Sequence, residues 1–253
     1  MSGHSKWATI KRKKGALDAK RGKLFTRLGR EIVVAAKEGG GNPDGNVRLR
    51  LAIEKAKASN MPKENIERAI ARGAGGGDDG IVMEEVTYEG YGQHGIAVLV
   101  DVLTDNKNRS LSNIRQAFNR ANGTMAEAGA VAWQFDRKGL IEVVAEGADS
   151  DELFMVAADA GADDVVPGEE TIEVYTPREA MAAVEAKLLE SSYKVADSNL
   201  TWVAKNEIDL EPDQAVSIMG LLERLEELDD TQSVACNLHI TDEIATAYET
   251  AQA

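Results

Sequence analysis

The sequence predicts an α+β, multidomain chain: an N-terminal three-helix domain followed by two small ferredoxin-like α/β sandwich domains, the second inserted in the first. Three observations lead there. Apolar residues recur every three or four positions up to a glycine-rich stretch at Gly73–Gly80, where the period changes to strands alternating with short helices. The segment from about 138 to 204 holds a complete βαβαβ set, while the pieces before and after it are each incomplete. Joining those pieces gives the division 1–80, 81–137 plus 205–253, and 138–204.

The first helix is expected from about Leu17 to Glu38, with Leu24, Leu28, Ile32 and Ala35 as its apolar stripe and Gly39-Gly-Gly41 as its stop. A second covers roughly Val47–Ala58, and a third begins near Pro62, with Ile66 and Ile70 one turn apart. After the linker, Met83–Glu89 and Ile96–Leu103 read as strands, Leu111–Ala121 as a helix and Ala130–Phe135 as a strand. Strand Leu140–Ala145, helix Asp151–Ala160, strand Thr171–Tyr175, helix Pro177–Glu190 and strand Leu200–Ala204 follow. Helix Pro212–Leu228 and strand Ser233–Ile240 complete the set.

Charge divides the chain at the same linker. Overall, 29 Lys and Arg against 43 Asp and Glu give a net charge of -14 over 253 residues, a balance that by itself disfavours nucleic acid and anionic membranes. Residues 1–80, however, hold 18 basic against 9 acidic residues, net +9, and the remainder 11 against 34, net -23. With 43% hydrophobic residues the chain has enough apolar material for packed cores. The single cysteine, Cys236, excludes an internal disulfide framework, fits a reducing compartment and reads as a small core residue. The longest apolar run, Leu153–Ala158, is too short to span a bilayer, so no membrane partner is expected and the placement is cytoplasmic.

Motifs for chemistry are weak. Gly90-Tyr-Gly-Gln-His-Gly95 matches G-x-G-x-x-G, but a strand follows where a dinucleotide site needs a helix, so a hairpin turn is expected. Ser191-Ser-Tyr-Lys194 matches S-x-x-K without companion motifs. His4, His94 and His239 are scattered, and the runs Asp163-Asp164, Glu169-Glu170 and Glu226–Asp230 read as solvated charge. No enzyme, cofactor, metal or small-molecule substrate is expected.

Basic clusters point to nucleic acid instead. Lys6, Trp7, Lys11, Arg12, Lys13 and Lys14 precede a helix flank of Lys20, Lys23, Arg27 and Arg30. Lysine and arginine neutralise phosphates with release of counterions, and an indole among them can stack on a base, although packing against the helices is the better reading of Trp7. Asn106, Lys107, Asn108 and Arg109 form a second patch, with Arg115 and Arg120 on the helix after it. A capped loop, with Asn108 or Ser110 as N-cap, is an equal alternative there.

Six blocks carry a family resemblance: Met1–Lys11, Lys23–Ile32, Asn60–Ala69, Tyr88–Gly92, Leu103–Arg109 and Ala130–Phe135. Together they resemble the signature blocks of the bacterial YebC family, which also includes mitochondrial translational activators of cytochrome oxidase subunit I. The resemblance implies three domains, one α/β domain inserted in another, no catalytic residue set, and a bacterial, cytoplasmic member. It implies one of two roles. Some members are labelled probable transcriptional regulators that bind DNA; others act on the ribosome, relieving stalls at proline-rich sequences. The expected partner is therefore ribosomal RNA on the ribosome, with DNA as the alternative.

Overall fold

The computed structural model describes residues 17–75, 83–168 and 170–251, with side chains from residue 22 onward. Helices α1 (Leu17–Gly39), α2 (Val47–Ala58) and α3 (Lys63–Gly73) form the first unit. Leu28, Ile32, Ala35, Leu49, Ile53, Met61 and Ile66 are buried together in its core, and each fully buried Leu or Ile contributes about 1.5–3 kcal/mol. The Asn46 side chain accepts from Leu49 N (3.0 Å) to cap α2, while its amide donates to Ala35 O (2.7 Å) and fastens the α1–α2 turn. Gly73 ends α3 against α1, where a Cβ would lie 2.3 Å from Val33 O.

Strands β1 (Glu84–Tyr91) and β2 (Ala97–Thr104) form an antiparallel hairpin in register from Glu84 with Thr104 to Tyr91 with Ala97. Helix α4 (Lys107–Arg120) and the short strand β3 (Thr124–Met125) follow. The second sheet is built from β4 (Phe135–Val144), β5 (Asp164–Val166), β6 (Thr171–Pro177) and β7 (Val195–Ala204), with helices α5 (Ser150–Asp159) and α6 (Met181–Glu190). The chain then returns through α7 (Pro212–Glu226) to β8 (Thr231–Cys236) and α8 (Asp242–Ala251). Both sheets are antiparallel, ordered β3-β1-β2-β8 and β5-β6-β4-β7, so every strand of the second lies in sequence between β3 and β8 of the first.

The second sheet has the order β-α-β-β-α-β, one strand more than the expected βαβαβ, because the three-residue β5 is too short to show a period. The first sheet departs further: β1 and β2 join directly as a hairpin with no helix between them, so its connectivity is not the β-α-β-β-α-β of a ferredoxin-like unit. Residues 132–134 form a 3-10 turn rather than the expected strand, and α8 was not anticipated. The 90–95 segment does turn a hairpin, with His94 at φ 58° and Gly95 at φ 76°. Gly90 and Gly92 serve close approach instead: a Cβ there would lie 2.6 Å from Phe118 and 2.8 Å from Ile218.

Strand β2 is covered on both faces, as its run of buried residues requires. Val98, Val100 and Val102 face α4 and α7 with Ile114, Phe118, Ile218 and Leu222, while Ala97 and Leu99 face Val131, Phe135 and Ala235. The half-buried Asp101 crosses from this sheet to the next. It accepts from Arg137 (2.6 Å), Thr87 (2.7 Å), Ser233 (2.9 Å) and Trp202 Nε1 (3.1 Å), and the Arg137 guanidinium stacks on the Trp202 ring at 4.8 Å. Burial alone would raise the Asp101 carboxyl; the adjacent Arg137 and these hydrogen bonds hold it below the usual carboxylate value.

Gly90→Ala should cost about 1–3 kcal/mol in urea denaturation through overpacking against Phe118, with little change in the slope of unfolding free energy against urea.

Candidate nucleic-acid interface

Lys6, Trp7, Lys11, Arg12, Lys13 and Lys14 lie outside the described residues. Lys20 falls within α1, but its side chain lies outside what the structure describes. Lys23, Arg27 and Arg30 share one neighbour. Lys23 Nζ donates to Glu227 O (3.1 Å), Arg27 to Gln232 O (3.3 Å) and Arg30 to Asp229 O, and Arg30 pairs with the Asp230 carboxylate at 2.8 Å. The α7–β8 turn thus presents carbonyls and a carboxylate to the flank that the sequence assigns to phosphates.

That turn owes its shape to β8. Asp101 pairs with Ser233 and Val102 with Thr231, leaving Gln232 as an extra residue that bulges the strand and turns its carbonyl toward Arg27. Asp230 is buried, contrary to the solvated role expected for the Glu226–Asp230 run. Its carboxylate accepts from Ser110 Oγ (2.5 Å), Arg109 (3.0 Å) and Thr104 Oγ1 (3.2 Å) besides Arg30. Desolvation pushes this carboxyl up, but the Ser110 and Arg109 hydrogen bonds and the Arg30 and Arg109 charges outweigh it and hold it below its ordinary value.

The 104–110 patch therefore stands beside the α1 flank, although the two are far apart in sequence. Arg30 and Arg109 meet on one carboxylate. Asn106 is the N-cap of α4, accepting from Arg109 N at 3.0 Å, so neither Asn108 nor Ser110 plays that part. The helix begins at Lys107, four residues earlier than expected, because the cap completes a turn that carries no apolar periodicity. Lys107 pairs with Glu84 (2.5 Å), Arg109 also with Asp105 (2.6 Å), and Asn108, Arg115 and Arg120 are exposed. Two further pairs hold the helical unit against both sheets: Arg48 with Glu85 (2.5 Å) and Lys55 with Asp197 (3.1 Å).

One functional candidate escaped the sequence reading. Glu89 is buried and accepts from the backbone N–H groups of Gly129 (2.6 Å), Val131 (2.6 Å) and Ala132 (2.9 Å), fixing the loop that leaves the Trp133 indole 67% exposed. Burial would raise the Glu89 carboxyl, yet these three donors lower it. No local signal marks Glu89, since its donors lie about forty residues away.

Chemistry-bearing groups elsewhere are dispersed. Burial pushes the Cys236 thiol up to about 12, which makes it a poor nucleophile. His239 meets Asp209 at 2.7 Å on the surface. Among the described residues no group of three or more His, Cys, Asp or Glu is placed to hold a metal ion, and no helix is long and apolar enough to cross a membrane.

These parts define a mixed α/β protein in which a cationic helical unit is fastened to an acidic two-sheet body. Known proteins of that description match it. Residues 5–76 match the TACO1/YebC protein N-terminal domain and residues 83–238 the TACO1/YebC second and third domain. The chain belongs to the TACO1/YebC family. A relative from Geotalea uraniireducens is 52% identical over 96% of this chain and 98% of its own length, and one from Herpetosiphon aurantiacus 51% identical over 98% of each. Both are called probable transcriptional regulatory proteins, a regulatory name and not that of an enzyme. The crystal structure of a conserved hypothetical protein from Aquifex aeolicus, 45% identical, superposes with a TM-score of 0.84 over 90% of this chain and 93% of that one.

Asp230→Ala should cost about 2–4 kcal/mol in chemical denaturation, since it strands two arginines and a serine, whereas Arg30→Ala should cost about 1 kcal/mol because Arg109 and Ser110 still satisfy the carboxylate. Because the folded-state pKa of Asp230 is lowered, its contribution is complete above the unfolded carboxylate value of about 4 and is lost as pH falls through the lower folded value. Acid titration of stability should therefore show a smaller loss in Asp230→Ala than in the unaltered chain.

Proposed function

We propose that this chain is a non-enzymatic nucleic-acid-binding regulator of gene expression that acts on the ribosome as a translation factor, through contacts to ribosomal RNA. The convergence of two basic segments, far apart in sequence, around Asp230 carries the reading. Arg30 and Arg109 sit within hydrogen-bonding reach of one carboxylate, so the α1 flank and the start of α4 form one cationic surface on an otherwise acidic molecule. The interface comprises Lys6, Trp7, Lys11, Arg12, Lys13, Lys14, Lys20, Lys23, Arg27 and Arg30, with Asn106, Lys107, Asn108 and Arg109. Arg30 and Arg109 hold the surface together, and the exposed Lys23, Lys107, Asn108 and Arg109 are its outward members.

A folded RNA suits such a surface. Its recognition rests on shape and phosphate contacts, whereas sequence-specific duplex readout needs a helix or ribbon whose side chains reach base edges in the major groove. Acidic sheets flanking the cationic surface would limit binding to one orientation. The domain division 1–80, 81–137 plus 205–253 and 138–204 accords with this: the inserted part, with its β-α-β-β-α-β order, is the ferredoxin-like unit, and the other two parts carry the interface. A soluble, cytoplasmic placement follows from the partner. Duplex DNA binding by the same surface is the second reading, supported by the relatives' names as probable transcriptional regulatory proteins.

Sedimentation with ribosomes and titration with promoter-sized duplex, each over a salt series, separate the two. Ribosome binding that survives physiological salt is expected; sequence-discriminating duplex binding without ribosome association would overturn the translational reading. Replacing Lys11, Arg12, Lys13 and Lys14 together with Ala should weaken binding and flatten the log–log salt slope by about 0.7–0.9 per lost phosphate contact.

A further inference from the structure

An open groove of about 430 Å³ runs between α4 and the edge formed by β1 and β3. Tyr88, Leu111, Arg115, Asn119, Met125 and Glu127 supply its chemistry. Leu111, Arg115 and Asn119 recur every fourth residue, which puts them on one stripe of α4, and Lys107 continues that stripe to the helix start. Lys107, a member of the candidate interface, therefore stands at one end of the helix face that lines the groove.

Its lining has three kinds of group in a useful order. Tyr88 gives an aromatic ring, held by donation of its hydroxyl to Lys107 O at 3.2 Å, and Leu111 and Met125 extend an apolar wall beside it. Arg115 and Asn119 are exposed on the helix side and can meet a phosphate or a sugar hydroxyl. Glu127 stands at the β3 side, where a carboxylate can only accept hydrogen bonds.

We propose that this groove between α4 and the β1–β3 edge is a binding site for one unpaired nucleotide of a single-stranded RNA segment, its base against Tyr88, Leu111 and Met125 and its phosphate at Arg115. The proposal rests on the nucleic-acid reading above and deepens it. A duplex keeps its bases stacked and offers only their edges, so an aromatic and apolar wall in a groove of this size gains nothing from it; an unpaired base presents its whole face. The volume falls at the lower end of the roughly 300–1,000 Å³ of small-ligand sites, of the order of one nucleotide. Glu127 favours a base with an exocyclic amine, as on cytosine, adenine or guanine, over uracil, which has none.

The test uses the full chain with a short single-stranded RNA carrying one 6-thioguanosine, a photoreactive base that keeps its exocyclic amine, and a duplex of the same sequence. Ultraviolet crosslinks in peptides containing Tyr88 or Met125 are expected, together with about a tenfold or greater loss of single-strand affinity in Arg115→Ala and unchanged duplex affinity. Arg115 is an exposed helix residue, and alanine is the strongest helix former, so the variant should fold. Oligocytidine should bind more tightly than oligouridine, and Glu127→Gln should narrow that gap. Crosslinks confined to residues 1–30, or equal single-strand binding by Arg115→Ala and the unaltered chain, would overturn the groove while leaving nucleic-acid binding intact. Failure of the unaltered chain to bind single strand, duplex or ribosomes would overturn both readings.

Discussion

The Asp230 carboxylate is the constraint on which the arrangement of this molecule depends. One buried anion receives Arg30 from the helical unit and Arg109 and Ser110 from α4, so it joins elements some two hundred residues apart in sequence. Burying a carboxylate is costly, and removing any donor would leave part of that cost uncompensated. Its geometry follows from the β8 bulge at Gln232 and from hydrogen bonds that fix the neighbouring backbone, including Leu103 N to Asp230 O at 2.9 Å.

Asp101 does for the two sheets what Asp230 does for the helical unit. Arg137 and Trp202 come from the second sheet, Thr87 and Ser233 from the first, and all converge on one carboxylate with a guanidinium stacked on the indole. Buried charge-assisted hydrogen bonds are directional, so they set the orientation of surfaces that apolar contact alone would let slide. The cationic surface is consequently presented in a fixed setting: Lys23, Lys107, Asn108 and Arg109 outward, with Arg30 behind them as its fastening.

Local physics was legible in the sequence. The stripe of Leu24, Leu28, Ile32 and Ala35 located α1, Val47–Ala58 was placed to the residue, and the strand after Gly95 correctly ruled out a dinucleotide turn. Elements shorter than one period were not legible: β5 has three residues and β3 two. Burial of Asp230 was equally hidden, because Glu226–Asp230 reads as a solvated run and its partners Arg30 and Arg109 are 200 and 121 positions distant. For the candidate interface, the sequence supplied the cations, but it could not show that the Asn106 side-chain carbonyl caps α4 or that Arg30 and Arg109 share a carboxylate.

By itself, the sequence determined the division of charge at the Gly73–Gly80 stretch, the helical character of the first unit, the mixture of strands and helices after it, and the family. All of these are written in composition, period and chain order, which are properties of neighbouring residues. Only the tertiary structure decided that the two basic segments are one surface, that an acidic turn fastens them, and that a groove with an aromatic wall opens beside them. Those are long-range pairings, selected by the need to satisfy buried carboxylates and carbonyls, and no local pattern along the chain encodes which distant donor will do so.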